Sequence, residues 1–90
     1  MNFEFTENGW QDFEYWMDHD SDIVDKIRDL LRDIGRNPFH GMGKPEPLKF
    51  ALKGYWSRRI TGEHRLVYKI EGNKGINQSC IILQCRFHYN

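Results

Sequence analysis

No apolar run in this chain approaches the roughly eighteen residues that a membrane helix needs, and its first residues carry no long apolar segment. Membrane insertion and secretion are therefore not expected, and a cytoplasmic setting is. Cysteine is scarce, with only Cys80 and Cys85. Five apart on one strand they would face opposite sides, so they cannot bridge each other and read as small buried fillers in a reducing compartment. His19, His40 and His64 have no metal-ligand spacing with one another or with the cysteines, so no metal site and no cofactor are expected. A phosphate-cradling nucleotide loop is missing too. Gly41-Met42-Gly43-Lys44 has neither its spacing nor its flanking strand and helix. The three prolines, Pro38, Pro45 and Pro47, all fall within residues 36–47, which forbids regular structure there and makes that segment a shaped connection.

What the chain does have is polarity along its length. Thirteen acidic and thirteen basic residues cancel overall. Residues 1–43, however, hold ten Asp/Glu against four Lys/Arg, and residues 44–90 hold three against nine. A basic half of this kind points to a polyanionic partner. Ninety residues with 39% hydrophobic content support one domain, 1–90, with a modest core.

Asn2-Phe3-Glu4-Phe5 alternates as a short edge strand does. Thr6 can cap a first helix carrying Trp10, Phe13, Trp16 and Met17 at helical spacing, although Gly9 weakens its first turn. A second helix is expected from Ser21, with Ile23, Ile27, Leu30, Leu31 and Ile34 on its apolar face and Gly35 as its stop. The opposite face, which includes Asp29, Arg32 and Asp33, reads as solvated surface. From Leu48 onward the pattern is strand-like: Leu48, Phe50 and Leu52 alternate, then Trp56 to Ile60, then Leu66, Tyr68 and Ile70 against Arg65, Val67 and Lys69. Ser79 to Tyr89 reads as a last, longer strand, with Ile81, Leu83, Cys85 and Phe87 inward and Gln84, Arg86 and His88 outward. Short turns separate these segments, so the expected fold is α+β: two N-terminal helices on a mainly antiparallel, roughly five-stranded twisted sheet.

Alternation places Arg65, Lys69, Arg86 and His88 on one open face. Lys49 with Arg58 or Arg59 can join them, and Glu46 enters from the proline-rich segment. A carboxylate, an imidazole and several guanidinium groups suit metal-independent RNA cleavage. The 2′-hydroxyl must lose a proton, the 5′-oxygen must gain one, and the phosphorane between them carries extra negative charge. Glu46 could serve as base, His88 as acid and Arg65 as electrostatic clamp, with Tyr89 stacking on a base or orienting the phosphate. Each residue also has a plainer reading. Glu46 is then a loop carboxylate, Arg65 a surface ion pair beside Glu63, His88 a structural or exposed histidine and Tyr89 a cover for the edge of the core.

The run Asn37-Pro38-Phe39-His40-Gly41-Met42-Gly43-Lys44-Pro45-Glu46-Pro47-Leu48-Lys49, the run Gly54 to Tyr68, and the ending Cys85-Arg86-Phe87-His88-Tyr89 closely resemble the YoeB-type (Txe) toxins of the RelE superfamily. The likeness covers essentially the whole chain. It implies a microbial-ribonuclease-like fold and the toxin of a bacterial type II toxin–antitoxin pair. Such a toxin is an endoribonuclease that cuts messenger RNA in the ribosomal A site and stops translation. By matched position Glu46 is implied as general base, Arg65 as the phosphate-stabilising arginine and His88 as general acid, with Tyr89 beside it. Lys49 and Arg59 match basic positions that support substrate or ribosome. The implied partners are a YefM-type antitoxin, the ribosome with its mRNA, and a second copy in a homodimer. Two departures stand out: the turn from Gly72 to Gln78 is longer than usual, and Asn90 follows the His-Tyr pair. An RNA- or ribosome-binding inhibitor without cleavage, and an antitoxin corepressor, are the alternative functions.

Overall fold

A computed structural model describes residues 1–89, so the expectation concerning Asn90 lies outside the described residues. Alternation in Asn2–Phe5 yields strand β1, and Thr6 caps helix α1, Glu7–His19, its Oγ1 accepting the Gly9 N–H at 3.0 Å. Helix α2 spans Ser21–Arg36. It begins at Ser21 as expected, and its cap is Asp20, whose carboxylate accepts from the N–H groups of Asp22 and Ile23 and satisfies two free donors of the first turn. Gly35 does not end α2. It is not among the left-handed residues, and the helix continues to Arg36 with Asn37 as its C-cap.

Four further strands follow: β2, Glu46–Pro47; β3, Trp56–Arg59; β4, Arg65–Glu71; and β5, Ser79–Gln84. They form one sheet in the order β1-β5-β4-β3-β2, with β1 parallel to β5 and every other pair antiparallel. The expected α+β architecture is thus found. Helices α1 and α2 cover one face, where Trp16, Ile27, Leu30 and Ile34 pack with Ile60, Leu66, Tyr68, Cys80, Ile82 and Cys85. Gly9 has a positive role in this packing. A Cβ there would stand 2.4 Å from the Ile82 carbonyl oxygen, so only glycine lets α1 lie this close to β5.

Two segments depart from the alternation. Residues 48–52 are not a strand: Leu48 is buried, and Phe50–Leu52 form a 3₁₀ turn in which Phe50 has φ +56° and is almost fully exposed. In β5 the inward residues are Cys80 and Ile82, with Ile81 and Leu83 only half-buried. Three consecutive apolar residues at 81–83 hide the parity, and a one-residue slip reverses every side chain. A β-bulge adds to the shift. Val67 faces Gln84 and Tyr68 faces Ile82, which leaves Leu83 as the extra residue. Its carbonyl accepts from Thr6 Oγ1 and from the Asn8 amide, so the start of α1 caps the bulge. The strand then stops at Gln84, and Cys85 turns back into the core. Both cysteines are therefore on the helix side, buried and free, contrary to the opposite faces expected of a continuous strand.

Candidate active site

Glu46 is carried by the segment between α2 and β3, whose shape is set by Arg58. This arginine was expected on the open basic face. The structure corrects that: its side chain has no exposure. Residues opposite each other on antiparallel strands share a face, and Arg58 stands opposite Leu66 on the helix side. Its five N–H donors are all used. Nε donates to the Tyr68 hydroxyl, one terminal nitrogen to the Asp33 carboxylate and the Met42 carbonyl, and the other to the carbonyls of Asn37 and His40. Tyr68 in turn donates to Pro38 O at 2.7 Å. Four carbonyls of residues 37–42 thus gather around one cation and its hydroxyl partner. Asp33, read as solvated, is also corrected. It accepts from the Met42 N–H at 2.9 Å and pairs with Arg58, and these two contacts hold its carboxyl below the ordinary carboxylate range. Gly43, at φ +81°, ends this clamp, since a Cβ there would press on Leu30 and Arg58.

Beyond Gly43, two residues after the left-handed Lys44, comes Glu46, which is exposed and lies opposite Ser57. Glu46, Lys49, Phe50 and Tyr89 line a cleft of about 330 Å³. On the same side of the sheet Arg59 faces Arg65 across the β3–β4 pair, with the Arg59 N–H donating to Gly43 O. Arg65 has no ion pair among the described residues, so the surface pairing with Glu63 is not found. Instead one guanidinium nitrogen donates to the carbonyls of Thr61, Gly62 and His64 at 2.8–3.3 Å. Carbonyls orient a guanidinium without neutralising it.

The tail after β5 is not strand but is fixed at nearly every residue. The Cys85 N–H donates to Asp12, and Trp16 Nε1 donates to Cys85 O at 2.8 Å. Arg86 is half-buried with its guanidinium 3.4 Å over the Tyr15 ring, turned toward α1 rather than outward beside His88. Phe87, at φ +65°, exchanges two hydrogen bonds with the start of β4. Its N–H donates to His64 Nδ1 at 2.8 Å and its carbonyl accepts from the Arg65 N–H at 3.0 Å. His88 follows, exposed, its Nδ1 2.8 Å from Tyr89 O; in that contact Nδ1 carries a proton and Nε2 remains for proton exchange. The Tyr89 ring lies 4.7 Å from the His88 ring.

The structure therefore brings Glu46, Lys49 and Tyr89 to one cleft, sets Arg59 opposite Arg65, and ties Arg65 to the residue before His88. It removes Arg58 and turns Arg86 aside. Burial pushes the thiols of Cys80 and Cys85 up to about 12, which makes both poor nucleophiles. Burial also raises Asp12, against the Cys85 N–H and the Arg86 charge, which pull it down. His64, Asp12 and Trp16, which hold the tail, were given no role at the site from sequence. Their partners lie more than twenty residues away and leave no local pattern. Parity could have found Arg58, which alternates with Trp56 and Ile60.

Residues 5–89 match the family described as YoeB-like toxin of bacterial type II toxin–antitoxin system. Toxin YoeB of Escherichia coli K12 is 49% identical over 89 residues, covering 99% of this chain and 100% of that protein. The solved structure of a YoeB/ParE toxin from Agrobacterium tumefaciens superposes with a TM-score of 0.93 at 50% identity, over 99% of this chain and 100% of that one. A Staphylococcus aureus YoeB, solved both as a dimer and as a heterotetrameric complex with YefM, has a TM-score of 0.87 at 42% identity, over 99% and 98% of the two chains.

Proposed function

This chain belongs to the YoeB-like toxins of bacterial type II toxin–antitoxin systems, and from that premise we propose that it is a ribosome-dependent, metal-independent mRNA endoribonuclease. In this reading Glu46 takes the 2′-hydroxyl proton as the 2′-oxygen attacks phosphorus. The bond from phosphorus to the 5′-oxygen breaks, and that oxygen receives a proton from His88. The products are a 2′,3′-cyclic phosphate and a 5′-hydroxyl. Arg65 stabilises the charge on the phosphorane, and Tyr89 orients the phosphate or stacks on a base. Lys49 and Arg59 hold neighbouring phosphates. No cofactor enters this chemistry.

The observation that carries the reading is the tail's attachment. Arg65, which has no ion pair among the described residues, is hydrogen-bonded through its backbone N–H to Phe87, the residue before His88, and Tyr89 lines the cleft that Glu46 lines. Substrate on translating ribosomes places the protein in the cytoplasm, and no helix among the described residues is long and apolar enough to cross a membrane. The Staphylococcus aureus relative's YefM complex and its dimer support a YefM-type antitoxin and a homodimer as partners here. The test is incubation with programmed ribosomes carrying end-labelled mRNA. A cut in the A-site codon with a 2′,3′-cyclic phosphate is expected. A 3′-hydroxyl product would reject the chemistry, and full translational inhibition by the Glu46→Gln, His88→Ala double variant would favour binding without cleavage.

A further inference from the structure

We propose that His64 is a positioning residue for this reaction, joining the general acid's tail to the phosphate-binding arginine; the inference rests on the nuclease reading above. Several contacts converge on the one residue. Its Nδ1 accepts the Phe87 N–H at 2.8 Å, and its carbonyl accepts the Arg65 guanidinium at 3.1 Å and the Ile60 N–H at 3.0 Å. Its ring stands edge-on to Trp16 with centroids 4.8 Å apart, and Trp16 itself holds Cys85.

The chemistry of these contacts is restrictive. An imidazole nitrogen that accepts from a backbone N–H carries no proton, so His64 is neutral with its hydrogen on Nε2. The acceptor faces a residue at φ +65°, a conformation a phenylalanine rarely takes without outside support. The Phe87 N–H and carbonyl are both engaged by the His64-Arg65 pair, which makes the tail a one-residue extension of the sheet after β5 has ended. His64 touches no reacting atom in this arrangement. It sets where His88 and Arg65 stand relative to each other, and an error of about 1 Å in such a placement costs on the order of 100-fold in rate.

Two substitutions separate the hydrogen bond from the packing. His64→Phe keeps a ring against Trp16 and removes the acceptor. His64→Asn removes the ring and keeps an acceptor oxygen the same number of bonds from Cα as Nδ1. On programmed ribosomes, His64→Phe is expected to lower kcat roughly 10- to 100-fold with KM unchanged. His64→Asn is expected to restore most of the rate despite its weaker packing. Amide hydrogen exchange at Phe87 gives a readout independent of activity, slow in the wild type and in His64→Asn and fast in His64→Phe. A wild-type rate in His64→Phe, or an equal loss in both variants, would overturn the proposal in favour of simple packing. Exchange at Phe87 that ignores the substitution would remove the tether itself. Failure of the wild-type protein to cut would remove the nuclease reading, while the exchange contrast would still report whether His64 holds the tail.

Discussion

Arg58 and Arg65 lie on adjacent strands of one sheet, yet their guanidinium groups have opposite fates. Arg58 is wholly buried, and its five donors meet a carboxylate, a hydroxyl and three carbonyls. Arg65 is half-buried and is held through one nitrogen by three carbonyls, with no carboxylate beside it among the described residues. Arg58 has its charge balanced by Asp33 and serves to fold residues 37–42. Arg65 is aimed but keeps its charge, as its proposed role at a developing phosphorane requires. The fully paired guanidinium serves the architecture, and the one oriented by neutral dipoles is the one assigned to the proposed site.

The sharpest break in this comparison comes from Arg58→Met. Removing the cation strands Asp33, the Tyr68 hydroxyl and three carbonyls, and a loss of about 3–5 kcal/mol in unfolding free energy is expected by urea denaturation. A loss below about 1 kcal/mol would mean that the clamp is not structural. Arg65→Met should show the reverse pattern. The cleavage rate should fall about 10²–10³-fold, with an unfolding midpoint close to that of the wild type. Equal damage to stability by both variants would erase the distinction between the two arginines.

The smallest effect concerns Asp33. The Met42 N–H and Arg58 hold its folded-state pKa below that of the unfolded chain. Its contribution is therefore fully present above the ordinary carboxylate value of about 3.9 and is lost as pH falls through the lowered folded value. Asp33→Asn should be less stable than wild type at neutral pH, and the gap should narrow on acidification below about pH 4. A gap that is constant with pH would place the origin of the effect elsewhere.

Most of the fold was legible because it depends on local periodicity. The spacing of Ile23, Ile27, Leu30 and Ile34 specifies the buried face of α2, and Leu66, Tyr68 and Ile70 show which side of β4 turns inward. The proposed site was read in a different way. Glu46, Arg65 and His88 stood out as chemically apt residues, and the linear resemblance joined them. Where the reading failed, the cause was contact between distant residues. Phe50 takes a left-handed turn instead of continuing a strand, Leu83 bulges under the Thr6 hydroxyl, and Arg86 lies over Tyr15.

The sequence by itself determined the family, the two amphipathic helices, the mainly antiparallel sheet and the charge that separates the two halves of the chain. These follow from side-chain pattern and from linear motif, which need no partner. Only the tertiary structure decided which arginine is buried, on which side the cysteines lie, and how a tail that has left the sheet is still fastened beside Arg65. Those outcomes depend on hydrogen-bond donors and acceptors that distant segments bring together, such as His64 with Phe87 and Trp16 with Cys85, and a hydrogen bond is satisfied by position in space rather than by order along the chain.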